Sequence, residues 1–145
     1  MSGYTRPVDA ERAAYDELYV YTMGRGRETF ILQHVVDAFA AQTAEETTPP
    51  IGIIFALIGL YLHVEKGFSG ARVQQAHIAL GRNKRQWPAI TLPKSRGALR
   101  PSDALAAPAG DERDLAIERW CQSVWTAYAD SRATIVELAK FYQLV

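Results

Sequence analysis

The run "IGIIFALIGLYL", residues 51–62, constrains the fold more than any other feature of the chain. Twelve consecutive residues carry no charge, and the Tyr61 hydroxyl is their one polar side-chain group. A helix that spans a bilayer needs about 20 apolar residues, so a run of twelve reads as a helix buried in a protein core. Its flanks give it an unambiguous start and stop. Thr48 is a good N-cap, Pro49 suits the first helical position, and Gly67 after Lys66 is a C-terminal stop. Gly52 and Gly59 each cost about 1 kcal/mol of helix propensity against alanine, which points to another helix coming close at these positions. A core helix of this kind needs other elements wrapped around it.

Those elements also read as helices. A first helix is expected over 8–22, with Asp9 near its N-terminus and Ala14, Leu18 and Thr22 at a period near four, flanked by Tyr15 and Tyr19. Gly24 and Gly26 break it. A second is expected from Glu28 to Gln42, apolar around most of its circumference and therefore central. A short helix follows the core helix, capped by Ser69, running to Leu80 and stopped by Gly81. Residues 82–110 hold four of the seven prolines and read as a long irregular connector, with one helical turn in "RPSDALAA" capped by Ser102. The last helix is expected as one piece over 112–143, capped by Asp111 and about 48 Å long at 1.5 Å per residue. Ile117, Val124 and Leu138 share one heptad position, and Cys121, Tyr128, Ile135 and Tyr142 share another. No β-alternation and no Asn-Gly or Asp-Gly hairpin appears. The expected fold is all-α. It is one domain over 1–145, an antiparallel bundle of four main helices plus one short helix, with the Pro-rich connector before the last helix.

Net charge is zero, which removes any global attraction to nucleic acid or to anionic membrane, and neither is expected as a partner. The charge is uneven, since residues 67–110 carry seven bases against the single acid Asp103. The lone cysteine, Cys121, cannot form an intrachain disulfide, which fits a reducing cytoplasm. Pro7, Asp9 and Glu11 stand where a signal peptide would need its apolar core, so a cytoplasmic protein is expected.

Polar groups inside the apolar second helix are the first place to look for chemistry. His34 and Asp37 are three apart and share a helix face, whereas Gln42 is turned away by some 80° at about 100° per residue. A carboxylate beside an imidazole can orient it as a base, which makes His34 and Asp37 the catalytic candidates. With His63 they are also the weak metal candidates, since a bundle can hold a divalent ion with side chains from facing helices. The three histidines are 29 and 14 residues apart, with no H-x-x-x-H spacing. No metal or other cofactor is therefore expected, and a hydrogen-bonded network that pins neighbouring helices is the plainer reading. Cys121 reads as a small buried hydrophobe. "GRGR", 24–27, reads as a turn with solvated arginines, since no strand precedes it. Trp120 and Trp125 are five apart, so one is expected in the core and the other against the connector or a partner. Gln42, Arg82, Arg85 and Trp87 are the candidates for a small anionic ligand under the 82–110 loop.

Several stretches together carry a family resemblance. "HVVDAFAAQ" at 34–42 resembles the His, Val-Asp-Ala, Tyr or Phe, and Gln signature of a bacterial domain-of-unknown-function family of small helical proteins. "IGLYLHVEKG" at 58–67, "WPAITLP" at 87–93, "GALRPSDAL" at 97–105 and "ERWCQSVWTAYADS" at 118–131 are similar to the family's later segments in the same order. The resemblance spans about residues 14–140. It implies a helical fold and no established activity. Relatives often carry an N-terminal cysteine pair, a His-Pro where this chain has Thr43-Ala44, and a histidine near Ser131, so it implies a chain stripped of potential ligands. A looser likeness, of architecture alone, is to the DinB-like bundles that hold a metal with three histidines. The leading functional expectation is a non-enzymatic helical protein acting through self-association as a homodimer. The alternatives are a His/Asp-based or metal-dependent bundle enzyme and a small anionic-ligand binder.

Overall fold

The computed structural model describes residues 7–25, 31–83 and 86–145. Seven α-helices follow in order: α1 (Pro7–Met23), α2 (Ile31–Gln42), α3 (Pro50–Val64), α4 (Gly70–Gly81), α5 (Pro101–Ala106), α6 (Asp111–Ala127) and α7 (Arg132–Phe141). A 3-10 turn, Ala129–Ser131, joins the last two, and no strand occurs among the described residues. The fold is all-α, as its periodicities require. No helix among the described residues is long and apolar enough to cross a membrane.

The apolar run makes α3 the axis of the structure. Ile53, Ile54 and every residue from Ala56 to Leu62 are buried, and α2, α4, α6 and α7 all pack on it. Gly67 stops it in the left-handed conformation, at φ +71°. The Gly67 N–H donates to the His63 carbonyl at 3.1 Å and the Phe68 N–H to the Leu62 carbonyl at 2.9 Å. The Gly67 bond is the closure in which a left-handed glycine satisfies one of the last carbonyls of a helix, and Phe68 satisfies a second. Ser69 then caps α4, accepting from the Arg72 N–H at 3.2 Å.

Local details correct the sequence reading at four points. Pro49, not Thr48, precedes the first helical residue of α3, and the Thr48 hydroxyl accepts from the Glu45 N–H at 3.0 Å instead. Two consecutive prolines push the start forward, because the residue before a proline avoids helical angles. Asp111 is the first residue of α6 rather than its cap, a position taken by Gly110 at φ +107°. Asp103 closes the start of α5 by accepting from the Arg100 N–H at 2.8 Å. Ser102, the expected cap, instead donates its hydroxyl to Glu11 on α1 at 2.8 Å.

The fourth correction concerns the last helix, which is two helices. The expected heptad positions are buried on both sides of the break: Ile117, Cys121 and Val124 before it, Ile135 and Leu138 after it. Tyr128 stands at the break with non-helical angles, and its hydroxyl donates to the Ala41 carbonyl at the end of α2. Four residues on, Arg132 reaches Glu65 at the end of α3 with Nη2 to Oε1 at 2.6 Å. These two anchors turn α7 back onto the core where one straight rod would overhang it. Glu65 also accepts from Trp125 Nε1 at 2.7 Å, so Trp125 is buried like Trp120 and neither indole is left for a partner.

The connector is irregular outside α5 but closely tied down. Arg96 Nη1 donates to the carbonyls of Gln42 and Ala44 at 3.2 and 2.6 Å, capping the end of α2 from outside. Gln42 answers by donating to the Leu99 carbonyl at 2.7 Å. At Gly97, φ is +101° and an added Cβ would lie 2.6 Å from Ser123 Oγ, so the chain can press against α6 only with glycine there.

Candidate functional site

Helices α2 and α3 run antiparallel where their polar residues meet. His34 of α2 faces His63 of α3, and Asp37, one turn later, faces Gly59, one turn earlier. The pair that shares a face on α2 is thereby separated, because each member has its own partner. The His34 and His63 rings stack at a centroid distance of 3.4 Å and an interplanar angle of 15°.

The stop at Gly67 determines the chemistry of His63. It folds the chain back so that the Phe68 carbonyl lies 3.1 Å from His63 Nδ1. A carbonyl oxygen only accepts, so the Nδ1 proton is held there and Nε2 keeps its lone pair. Burial lowers the His63 pKa, opposed by the Phe68 carbonyl and by Glu118. The ring is therefore neutral near pH 7. Glu118 Oε1, from α6, lies 3.8 Å from Nε2.

Beneath this pair opens a cavity of about 480 Å3. Its apolar wall is Ile31, Phe68, Leu115 and Ile117, and its polar side chains are His34, His63, Ser69, Asp114 and Glu118. His34 is 4 % exposed, and its Nδ1 has no hydrogen-bond partner among the described residues. Burial, aided by the neighbouring His63, holds the His34 imidazole down to about 3. Asp114 is already engaged by Arg25 Nη2 at 2.7 Å and by the Tyr21 hydroxyl at 2.7 Å.

Asp37, itself buried, belongs to a second cluster. Gln33 Nε2 donates to Asp37 Oδ1 at 3.0 Å and also lies 3.4 Å from His77 Nδ1. His77 Nε2 is 2.7 Å from the Phe55 carbonyl, so it carries the proton and Nδ1 accepts from Gln33. Asp37 Oδ2 is buried without a partner among the described residues. It presses on α3 at Gly59, where an added Cβ would overlap Oδ2 and lie 2.6 Å from Cγ. Desolvation pushes the Asp37 carboxyl well above the usual carboxylate range, opposed by the Gln33 hydrogen bond. Cys121 is buried nearby, with Sγ 3.7 Å from the His34 carbonyl, and burial pushes its thiol far up. It is no nucleophile in this state.

The model of one domain family matches residues 12–129, which is most of the chain. The chain belongs to DUF5946, a family of unknown function. No characterised protein and no solved structure matches it significantly. In this DUF5946 protein the sequence candidates are distributed as follows. His34 and His63 meet, while Asp37 is turned away to Gln33. Gln42 uses its amide hydrogens on the Arg96 and Leu99 carbonyls and accepts from Trp120 Nε1 at 2.9 Å. Trp87 packs near Phe55 and Tyr142, Arg82 is exposed at the end of α4, and Arg85 lies outside the described residues. The "GRGR" turn is described only as far as Arg25, which pairs with Asp114.

Among the described residues no three His, Cys, Asp or Glu side chains gather as a metal-ligand set. The His34–His63 stack also works against joint ligation. An imidazole binds an ion in its ring plane, and these two planes run nearly parallel. Three participants were not singled out from the sequence. Gln33 is four residues from Asp37, so ordinary helix spacing offered it. Phe68 follows the recognised Gly67 stop. Glu118 carries no local signal at all, because only the packing of α6 brings it to His63.

Proposed function

We propose that this DUF5946 protein binds a small molecule in the His34–His63 cavity, with the molecule's polar head on His63 and its apolar body against Ile31, Phe68, Leu115 and Ile117. The observation that carries this reading is the bare Nε2 of His63 at the cavity wall, fixed in its tautomer by the Phe68 carbonyl. A cavity of about 480 Å3 with an apolar lining and a few convergent polar groups is the usual form of a ligand site. On a bound molecule with an acidic proton, the same lone pair serves as a general base. Self-association draws less support, since Gly59, Trp120 and Trp125 all have uses within the chain. The anionic-ligand reading is weakened by the full engagement of Gln42.

NMR of protein labelled with 15N in its histidine rings tests the proposal, with benzyl alcohol as the probe. Binding in the cavity shifts the His34 and His63 ring resonances and leaves those of His77 in place. An unchanged His63 spectrum at millimolar benzyl alcohol, repeated with aliphatic alcohols of similar size, would remove the reading.

A further inference from the structure

We propose that the cavity selects an organic cation, a protonated amine on an apolar body; this rests on the pocket reading above. Acceptors outnumber donors among the polar groups that line the cavity, where Ser69 adds one hydroxyl. His63 Nε2 is a lone pair, and Glu118 is a carboxylate whose one partner among the described residues is that same histidine, at 3.8 Å. A neutral His34 carries one bare ring nitrogen and one N–H, and its Nδ1 is buried without a partner among the described residues. Asp114 lies at the same cavity with its charge already matched by Arg25.

No lysine or arginine among the described residues lines the cavity. Arg25 is turned to Asp114, and the guanidinium of Arg72 lies over the Phe68 ring, 3.7 Å from its centroid. An anion entering would meet Glu118 with no lysine or arginine to offset the repulsion, and only the Ser69 hydroxyl and a histidine N–H to donate to it. A neutral alcohol has one O–H to give and would satisfy one acceptor. An ammonium has three N–H donors that reach about 2.9 Å each. His63 Nε2 and Glu118 Oε1, 3.8 Å apart, fall within reach of one such nitrogen.

Three probes of one shape and different charge test this: benzylamine, benzyl alcohol and benzoate, titrated at pH 7 with the histidine-ring resonances as the readout. The expected order is benzylamine tightest, benzyl alcohol weaker and benzoate without detectable binding. Glu118 is half exposed, so Glu118→Gln leaves the fold intact. It should weaken benzylamine at least about tenfold, the worth of one charge-assisted hydrogen bond, and leave benzyl alcohol unchanged. If benzyl alcohol shifts His34 and His63 and benzylamine binds no more tightly, cation selection is overturned while the pocket reading stands. Benzoate binding as well as benzylamine has the same meaning. If no probe shifts either ring, both readings fall together.

Discussion

A methyl group at position 59 would occupy the space now held by the Asp37 carboxyl. Over-packing a core costs about 1–3 kcal/mol, and alanine's better helix propensity returns up to about 1. Gly59→Ala should therefore destabilise the protein by roughly 1–2 kcal/mol in urea unfolding. The same substitution in an Asp37→Ala background meets only His77 Nε2, 3.1 Å from the added methyl, so most of its cost should vanish. Equal losses in both backgrounds would show that α3 does not need glycine for the carboxyl. The residue scale is also where sequence reading was weakest. His34 and Asp37 share a face by spacing, but spacing says nothing of what each side chain meets on the next helix. His34 found His63 and Asp37 found Gln33, Gly59 and the neighbourhood of His77. Gly59 was correctly read as a point of close approach, whereas Gly52, read the same way, meets only the Thr48 methyl at 3.8 Å. That the approaching group was a carboxyl was not legible.

At the scale of elements, the helices were legible because each has a strong period and punctuation of its own. Gly67 and Ser69 act as read, at φ +71° and with a hydrogen bond to the Arg72 N–H. The break at Tyr128 was not legible, since the heptad register continues through it and the turn is imposed by partners far along the chain, Ala41 and Glu65. The Gly67 turn also carries a functional consequence. It fixes Phe68, and Phe68 fixes the His63 tautomer. Gly67→Ala forces a side chain into the left-handed region, a cost of about 1–2 kcal/mol. If the turn relaxes to avoid that cost, the Phe68 carbonyl leaves Nδ1. The His63 ring should then populate both tautomers, visible in its 15N shifts, while His77 keeps its single form on the Phe55 carbonyl. Unaltered His63 shifts in a variant that is measurably destabilised would disconnect the turn from the site.

For the whole molecule, the buried histidines and Asp37 give stability opposite dependences on pH. His34, His63 and His77 all have pKa values lowered by burial, from an unfolded value of 6.5. A group lowered by folding contributes stability that is present above its unfolded pKa and lost as pH falls, for His34 down to about 3. Asp37 is raised, so the folded state keeps its proton while the unfolded chain loses it above 3.8. Its contribution is full below 3.8 and is lost as pH rises toward the folded pKa. Between 3.8 and 6.5 the histidine and aspartate slopes oppose each other. Above about pH 7.5, a full unit beyond their unfolded value of 6.5, the histidines are neutral in both states, and up to about pH 8 the Cys121 thiol, with an unfolded value of 9.0, is protonated in both. Asp37 alone of these buried groups then sets the slope. Wild-type stability should fall by about 1.4 kcal/mol per pH unit in that window for as long as folded Asp37 stays protonated. Asp37→Asn keeps an acceptor for Gln33 and removes the titration. Its stability should be level over the same window, and its loss below pH 6.5 should be steeper than in the wild type, because the opposing slope is gone. Urea unfolding of both proteins at half-unit steps from pH 5 to 8 measures this. Parallel curves from 6.5 to 8 would mean that Asp37 is ionised inside the fold, and its cluster would then need a counter-charge among its neighbours.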